Sequence, residues 1–227
     1  MKNIAILLAA GSGTRVGGNV PKQFRTLKDG RTVLETCTDA FKVCPLIDDI
    51  VVITPELGGK TRSESSWKAI NLVYDKYKGE EDVNVLIHDA ARPFVSQRII
   101  EDVCRALESH EAVTVAVPAT DTMYECKILN AECKMPGTKC GMQNAERSIK
   151  NIPDRSTMWR AQTPQAFRLS LVRKAYEMQN AEYKMQNTTY TATDDCGMVH
   201  HYLPEIPIYI VEGEEKNKKI TFKEDLE

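Results

Sequence analysis

The sequence contains no apolar run approaching the roughly 20 residues that a membrane-spanning helix needs, so no membrane partner is expected. It has no basic excess either. Its 30 Lys and Arg stand against 32 Asp and Glu, for a formal net charge of −2. No global field would hold nucleic acid through its phosphates, and no nucleic-acid partner is expected. Cys-x-x-Cys is absent and the seven cysteines are odd in number, which makes a reduced, cytoplasmic chain the simplest reading. Cys126, Cys133 and Cys140 recur at even spacing, wider than that of zinc-binding pairs and with no fourth ligand nearby, and read as ordinary thiols rather than a metal site. There is no Gly-x-Ser-x-Gly elbow and no His-Glu-x-x-His, so nothing recommends nucleophilic hydrolysis or zinc proteolysis.

What is present suits one sizeable domain with its own core: 227 residues, 42% apolar and 27% charged. Ile4–Ala9 is an uninterrupted apolar run, expected of a strand buried on both faces rather than of a signal peptide. Asp49–Thr54, Asn84–His88, Ala112–Val117 and Pro207–Val211 read as further strands. Helical patterning covers Thr32–Cys44, Ser63–Lys78 and Gln97–Ser109. The alternation predicts an α/β fold, a doubly wound, mostly parallel sheet. The stretch 122–155 breaks the pattern, with Pro136-Gly137, many charges and little periodicity; it reads as a protruding arm or as a surface loop.

The turn Gly11-Ser12-Gly13-Thr14-Arg15 follows the first strand, at the end where open α/β sheets bind ligands. Val16 stands where a dinucleotide fingerprint needs glycine, and Asn19-Val20 stand where a Walker loop needs Lys and Ser or Thr. Two readings of the turn remain open. Its backbone N–H groups, with Arg15 and Lys22, suit a polyphosphate; or it is a tight turn with two solvated cations. Asp89 and Arg92 leave the third strand together. They can hold a divalent cation and clamp a phosphate, or pair with each other. His88 reads as structural. Thr193-Asp194-Asp195 reads as a helix N-cap, capping is the ordinary role of Ser63, Ser65 and Ser66, and Lys219 taken alone belongs to a solvated face with Lys216 and Lys218.

Taken together, Leu8-Ala9-Ala10-Gly11-Ser12-Gly13-Thr14-Arg15 and Pro21-Lys22-Gln23-Phe24 resemble the opening of the Rossmann-like nucleotidyltransferase fold. His88-Asp89-Ala90-Ala91-Arg92-Pro93-Phe94 narrows the resemblance to the 2-C-methyl-D-erythritol 4-phosphate cytidylyltransferases and their relatives. Asp121-Thr122, Asp154-Arg155-Ser156, Gln162-Thr163-Pro164-Gln165, Thr193-Asp194-Asp195 and Lys219-Ile220-Thr221 follow in the same order, so the likeness runs nearly end to end.

The resemblance implies a Mg2+-dependent transfer of CMP from CTP to a sugar-alcohol phosphate, with release of pyrophosphate. Ala9, Ala10, Gly11 and Gly13 would line the CTP site, and Gly59 and Ser65 would contact the cytosine. Arg15 and Lys22 would bind the triphosphate and neutralise the transition state, with Lys219 adding charge near the α-phosphate. Asp89 would help hold Mg2+, and with Arg92 would border the acceptor; Thr122, Arg155, Thr163 and Thr193 would position it. A homodimer through the arm is implied as well, with Arg155 reaching across it.

Three departures qualify the likeness. Only Pro55-Glu56-Leu57 separates the second strand from Gly58-Gly59, where the family carries a helix and a strand, which points to a missing sheet strand. The arm is longer than usual. Met123-Tyr124-Glu125 after Asp121-Thr122, with Ile152-Pro153, resembles the ribitol-5-phosphate cytidylyltransferases, whereas Ala90-Ala91 and Asp154 favour the methylerythritol branch. A catalytically dead nucleotide-binding homologue is the alternative of another class.

Overall fold

The computed structural model of the protein describes residues 1–11, 20–129, 146–186 and 190–226. In chain order its elements are β1 (Lys2–Leu8), α1 (Val33–Lys42), β2 (Asp49–Ile53), α2 (Arg62–Lys76), β3 (Val83–Asp89), α3 (Gln97–Ala106), β4 (Ala112–Pro118), β5 (Glu125–Ile128), β6 (Arg147–Asn151), β7 (Trp159–Arg168), α4 (Leu169–Gln186), α5 (Asp195–Tyr202) and β8 (Tyr209–Glu212). They divide into two compact units, 1–116 with 161–227, and 117–160.

The first unit is built on a six-stranded sheet of order β2-β1-β3-β7-β4-β8. β1 pairs in parallel with β2 and β3, each reached through a helix, as parallel neighbours require. β7 runs antiparallel to β3, so the sheet is mixed. Alternation along the strands feeds two cores. Ile4, Ile6, Val85 and Ile87 face α2, α4 and α5 through Ile70, Val73, Val172, Tyr176 and Val199. Ala5, Leu7 and Leu86 face α1 and α3 through Cys37, Phe41, Ile99 and Val103.

Helix starts follow local chemistry. Thr32 and Glu35 form a capping box on α1, and Asp194 caps α5 through the Gly197 N–H. α2 is capped by Thr61, not by the serines that follow it. The missing strand shows as a turn: the N–H groups of Leu57 and Gly58 both donate to Thr54 O, the chain passes directly to α2, and β2 is left at the edge of the sheet. β7 departs from the sequence reading, which saw no strand there, because Gln162, Thr163 and Gln165 break apolar alternation while lying buried. The last strand of the described residues ends at Glu212, and Lys219 sits in the loop after it rather than on a solvated face.

The second unit is wider than the stretch 122–155 marked in the sequence. Its described part contains an antiparallel hairpin, β5 with β6, in which Cys126 lies opposite Ile149 and Ile128 opposite Arg147. The recurring Cys133 and Cys140 lie outside the described residues. Arg155 opens a short 3-10 turn capped by Asp154, and its Nη1 donates to Thr120 O at 2.9 Å.

Candidate functional site

The site gathers where β1 and β3 end. Beyond β1, Ala9 donates its N–H to Ile53 O at 2.9 Å and accepts at its carbonyl from the buried Gln23 side chain at 2.6 Å. This contact fixes the 3-10 turn at Lys22–Phe24 against the strand end and carries Lys22 there. Ala10 follows, so close to Gly58 that a Cβ on that glycine would stand 2.3 Å from the Ala10 Cβ. Gly11 is exposed. Gly13 and Arg15 lie outside the described residues.

β3 delivers His88 and Asp89 as successive buried residues. The His88 ring lies between the Arg92 carbonyl, 3.0 Å from Nε2, and the Thr163 hydroxyl, 3.0 Å from Nδ1. A carbonyl can only accept, so the proton sits on Nε2, and Nδ1 accepts from Thr163. Thr163 Oγ1 in turn accepts the Asp89 N–H at 3.2 Å. Burial drives the His88 pKa down to about 4, which keeps the ring neutral. The Thr163 hydroxyl is buried in this chain of bonds, its proton given to His88, and its one remaining lone pair can only accept from a donor.

The Asp89 carboxylate is divided between two cations. Lys219 Nζ reaches Oδ2 at 2.6 Å, and Arg62 Nε reaches Oδ1 at 3.2 Å. Burial pushes this carboxyl up, but Arg62 and then Lys219 outweigh it and hold the pKa well below the usual carboxylate range. The mutual Asp89–Arg92 pair left open by the sequence does not form. Arg92 instead donates to the carbonyls of Asn217 at 2.8 Å and Ala161 at 3.3 Å, and its buried Nε has no partner.

The loop after β8 closes over this strand end and is fixed at several points. Asn217 donates to Gln162 Oε1 at 3.0 Å and to Thr163 O at 2.9 Å. The Ile220 N–H donates to Ala91 O at 2.8 Å, and Ile220 O accepts from Lys22 Nζ at 3.0 Å. Gly213 is required where the loop begins, since a Cβ there would lie 2.5 Å from Gln162 Oε1. Lys22 and Lys219 are thereby brought to one place from residues far apart in the chain.

Of the other expected residues, Gly59 and Ser65 stay beside Ala10, since a Cβ on Gly58 would lie 3.3 Å from Ser65 Oγ as well as against the Ala10 Cβ. The Gly59 N–H is taken by Ser65 Oγ at 3.0 Å, and the Ser65 hydroxyl donates to Thr61 O at 2.9 Å. Thr193 is exposed just ahead of the α5 cap. Thr122 and Arg155 belong to the second unit. Arg62 was missed by sequence reasoning, although Thr61 offered a signal: a capping threonine makes the next residue the first of a helix, directly after a glycine turn. Its Nη1 also meets the fully buried Asp195 at 2.8 Å.

Among the described residues no three His, Cys, Asp or Glu side chains gather as a metal cage. A divalent cation fits this donor set in another way. Mg2+ is commonly held by one or two carboxylates with substrate phosphates and water completing its shell; Asp89 is a carboxylate at the strand end, and a divalent cation there would share it with Lys219 and Arg62. No helix among the described residues is long and apolar enough to cross a membrane.

The sequence matches the 2-C-methyl-D-erythritol 4-phosphate cytidylyltransferase family over residues 3–57 and 53–227. A protein of that name from Thermobifida fusca (strain YX) is 38% identical over 244 residues, covering 98% of this chain and 89% of the relative. The bifunctional ribulose 5-phosphate reductase/CDP-ribitol pyrophosphorylase Bcs1 of Haemophilus influenzae is 32% identical over 99% of this chain, which spans 47% of that protein. The crystal structure of the Francisella tularensis 2-C-methyl-D-erythritol 4-phosphate cytidylyltransferase is 28% identical, with a TM-score of 0.73 and coverage of 100% of this chain and 97% of that one. The alignment to the Thermobifida protein is longer than the 227-residue chain, and the family match breaks at 53–57, where the strand is missing.

Proposed function

The chain belongs to the 2-C-methyl-D-erythritol 4-phosphate cytidylyltransferase family, and from that membership we propose how its strand-end site performs the reaction. CMP passes from CTP to 2-C-methyl-D-erythritol 4-phosphate. An oxygen of the acceptor phosphate attacks Pα in line, the bond from Pα to the bridging oxygen breaks, and pyrophosphate leaves with that electron pair. No covalent bond to the protein forms, so positioning and charge stabilisation carry the catalysis. The observation that supports this site is Asp89 at the end of β3, paired with Lys219 and Arg62, with Lys22 bound to Ile220 O in the loop that carries Lys219.

Lys22 and Lys219, with Arg15, would bind the triphosphate and offset the charge that grows at Pα. Ala9, Ala10, Gly11 and Gly13 would line the nucleotide, with Gly59 and Ser65 on the cytosine side. Asp89 and Arg92 would border the acceptor, joined by Thr122, Arg155, Thr163 and Thr193. A bound Mg2+, held through Asp89, would add positive charge at the phosphate oxygens.

A homodimer through the arm is part of the proposal. A two-stranded hairpin is marginal alone in water, and this one exposes Ile128 and Ile149. The free thiols Cys37, Cys44, Cys104, Cys126 and Cys196 suit a reducing compartment, the cytoplasm.

The test is pyrophosphate release from CTP and Mg2+ with 2-C-methyl-D-erythritol 4-phosphate or ribitol 5-phosphate as acceptor, and Lys22→Ala as control. Release with the methylerythritol acceptor, lost in the variant, is expected. Release with ribitol 5-phosphate alone would move the chain to the chemistry in the name of its Haemophilus relative. CTP binding without release from either acceptor would make it a non-catalytic homologue.

A further inference from the structure

We propose that Arg62 is a positioning residue that keeps Lys219 available to a triphosphate by sharing the carboxylate of Asp89. The inference rests on reading this strand end as the triphosphate site.

Arg62 is the first residue of α2, and it is held from two sides by elements remote in sequence. Its Nε meets Asp89 Oδ1 at the end of β3 at 3.2 Å, and its Nη1 meets Asp195 Oδ2 at the start of α5 at 2.8 Å. Asp195 is fully buried, and its other oxygen accepts from the Tyr176 hydroxyl at 2.7 Å. The guanidinium is therefore anchored in the core and cannot follow a ligand outward. Its planar fork lets one side chain bridge two carboxylates, which a lysine ammonium on a flexible stem does not reproduce.

The result is a row of alternating charge: Asp195, Arg62, Asp89, Lys219. Each Asp89 oxygen has its own cation, so Lys219 faces one oxygen of a carboxylate whose charge is already partly met. Without Arg62, the whole carboxylate would fall to Lys219 Nζ, already 2.6 Å away, and an incoming triphosphate would have to compete with an undivided ion pair. Neutralising Asp195 requires only the Nη1 side of Arg62, and capping α2 requires only Thr61. The Nε side, aimed at Asp89, is explained by neither.

Removing Arg62 alone would strand a buried carboxylate, so the test is made with Asp195→Asn present throughout, whose amide oxygen can still accept from Arg62 Nη1 while its NH2 donates to the Tyr176 oxygen. CTP affinity is measured by titration calorimetry for that protein, with Arg62→Gln added, with Asp89→Asn added, and with both, each checked for folding by thermal melting. Acting through Asp89 means non-additivity: Arg62→Gln is expected to weaken CTP about 10-fold when Asp89 is present and at most about 2-fold when it has been changed to Asn. Equal loss in both backgrounds would mean that Arg62 touches the nucleotide directly, and no loss in either would leave it a structural tie; both overturn the proposal.

Should the Asp195→Asn protein not fold, Arg62→Lys in the natural sequence replaces it. Several-fold weaker CTP binding that disappears when Asp89→Asn is also present supports the proposal; equal weakening with and without Asp89→Asn, or unchanged binding, overturns it. Inorganic triphosphate is titrated in parallel. If it binds with the same coupling while CTP does not bind, the proposed function falls and the role of Arg62 stands; if neither binds, both fall.

Discussion

At the strand ends of the first unit, buried polar side chains are met by partners far along the chain, Gln162 by Asn217, Thr163 by His88, Gln165 by Asp194 and the α5 N-terminus, Asp195 by Arg62 and Tyr176, while Arg92 Nε and Asn217 Oδ1 are left without one. In the second unit, every residue of β5 and nearly every residue of β6 is exposed, and the ties are surface contacts such as Lys150 with Glu125. Buried polar groups left without partners cost far more than exposed ones, so the first unit can hold cations at fixed points whereas the hairpin cannot. The contrast is between fixed, buried polar groups in one unit and exposed side chains in the other.

The sharpest way to break that contrast is to remove a strand-end cation. Lys219→Ala takes away an ammonium that is one-third exposed and leaves Asp89 still paired with Arg62. By comparison with the loss of one oxyanion donor, the rate should fall 10²- to 10³-fold, about 3–4 kcal/mol in the barrier, with little change in melting temperature. Steady-state pyrophosphate release together with a thermal melt checks both halves. A full rate, or a collapse of the fold, would dissolve the distinction between chemistry and scaffold at this residue.

The second prediction concerns the scaffold through pH. Burial lowers the His88 pKa from 6.5 to about 4, so between those values the unfolded chain binds a proton that the native chain refuses. Stability is therefore fully present above about pH 6.5, falls with pH below it, and levels off below about pH 4, losing about 3 kcal/mol from this residue. Urea midpoints followed across that range, in the natural protein and in His88→Gln, should differ in slope. Parallel slopes would remove His88 from the account.

Thr163→Val is milder. It deletes the hydroxyl that links the Asp89 N–H to His88 Nδ1 while keeping the shape, and should cost about 1–3 kcal/mol in urea unfolding. A neutral result would show that this chain of bonds can be replaced, as the exposed ties of the hairpin can.

Legibility in the sequence follows the same division. The apolar runs of β1 and β3 are local signals, and the run in β3 placed Asp89 and Arg92 at a strand end without further help. β7 was not legible, because its centre is polar and each polar atom is matched by a group far along the chain. Lys219 looked like one solvated lysine among three, since its partner, Asp89, lies 130 residues away. Arg62 failed for the same reason, with Asp195 supplied by a helix start that local reading could identify only as a cap. The end-to-end resemblance supplied Lys219 where local patterning could not. It left Arg62 unassigned, and the departure it marked at Pro55-Glu56-Leu57 is where β2 becomes a sheet edge.

The smallest effect on stability is expected in the hairpin, where it is also the most telling. Ile149 lies opposite Cys126 and is half exposed, so replacing it with Asp removes little buried area and opens no cavity. Away from buried features, surface substitutions stay within about 0.5 kcal/mol, and urea unfolding of Ile149→Asp should show no more than that for the folded chain by itself. If the apolar hairpin face meets a second copy, however, the new carboxylate would be buried without a partner, and assembly should fail where folding does not. Sedimentation velocity of the natural protein and the variant reads this directly, a dimer becoming a monomer. Pyrophosphate release by the variant then decides what the arm contributes. A monomer with full activity confines catalysis to the first unit, whereas a monomer with raised KM for the acceptor alcohol and unchanged KM for CTP makes the second unit, with Thr122 and Arg155, part of the acceptor site.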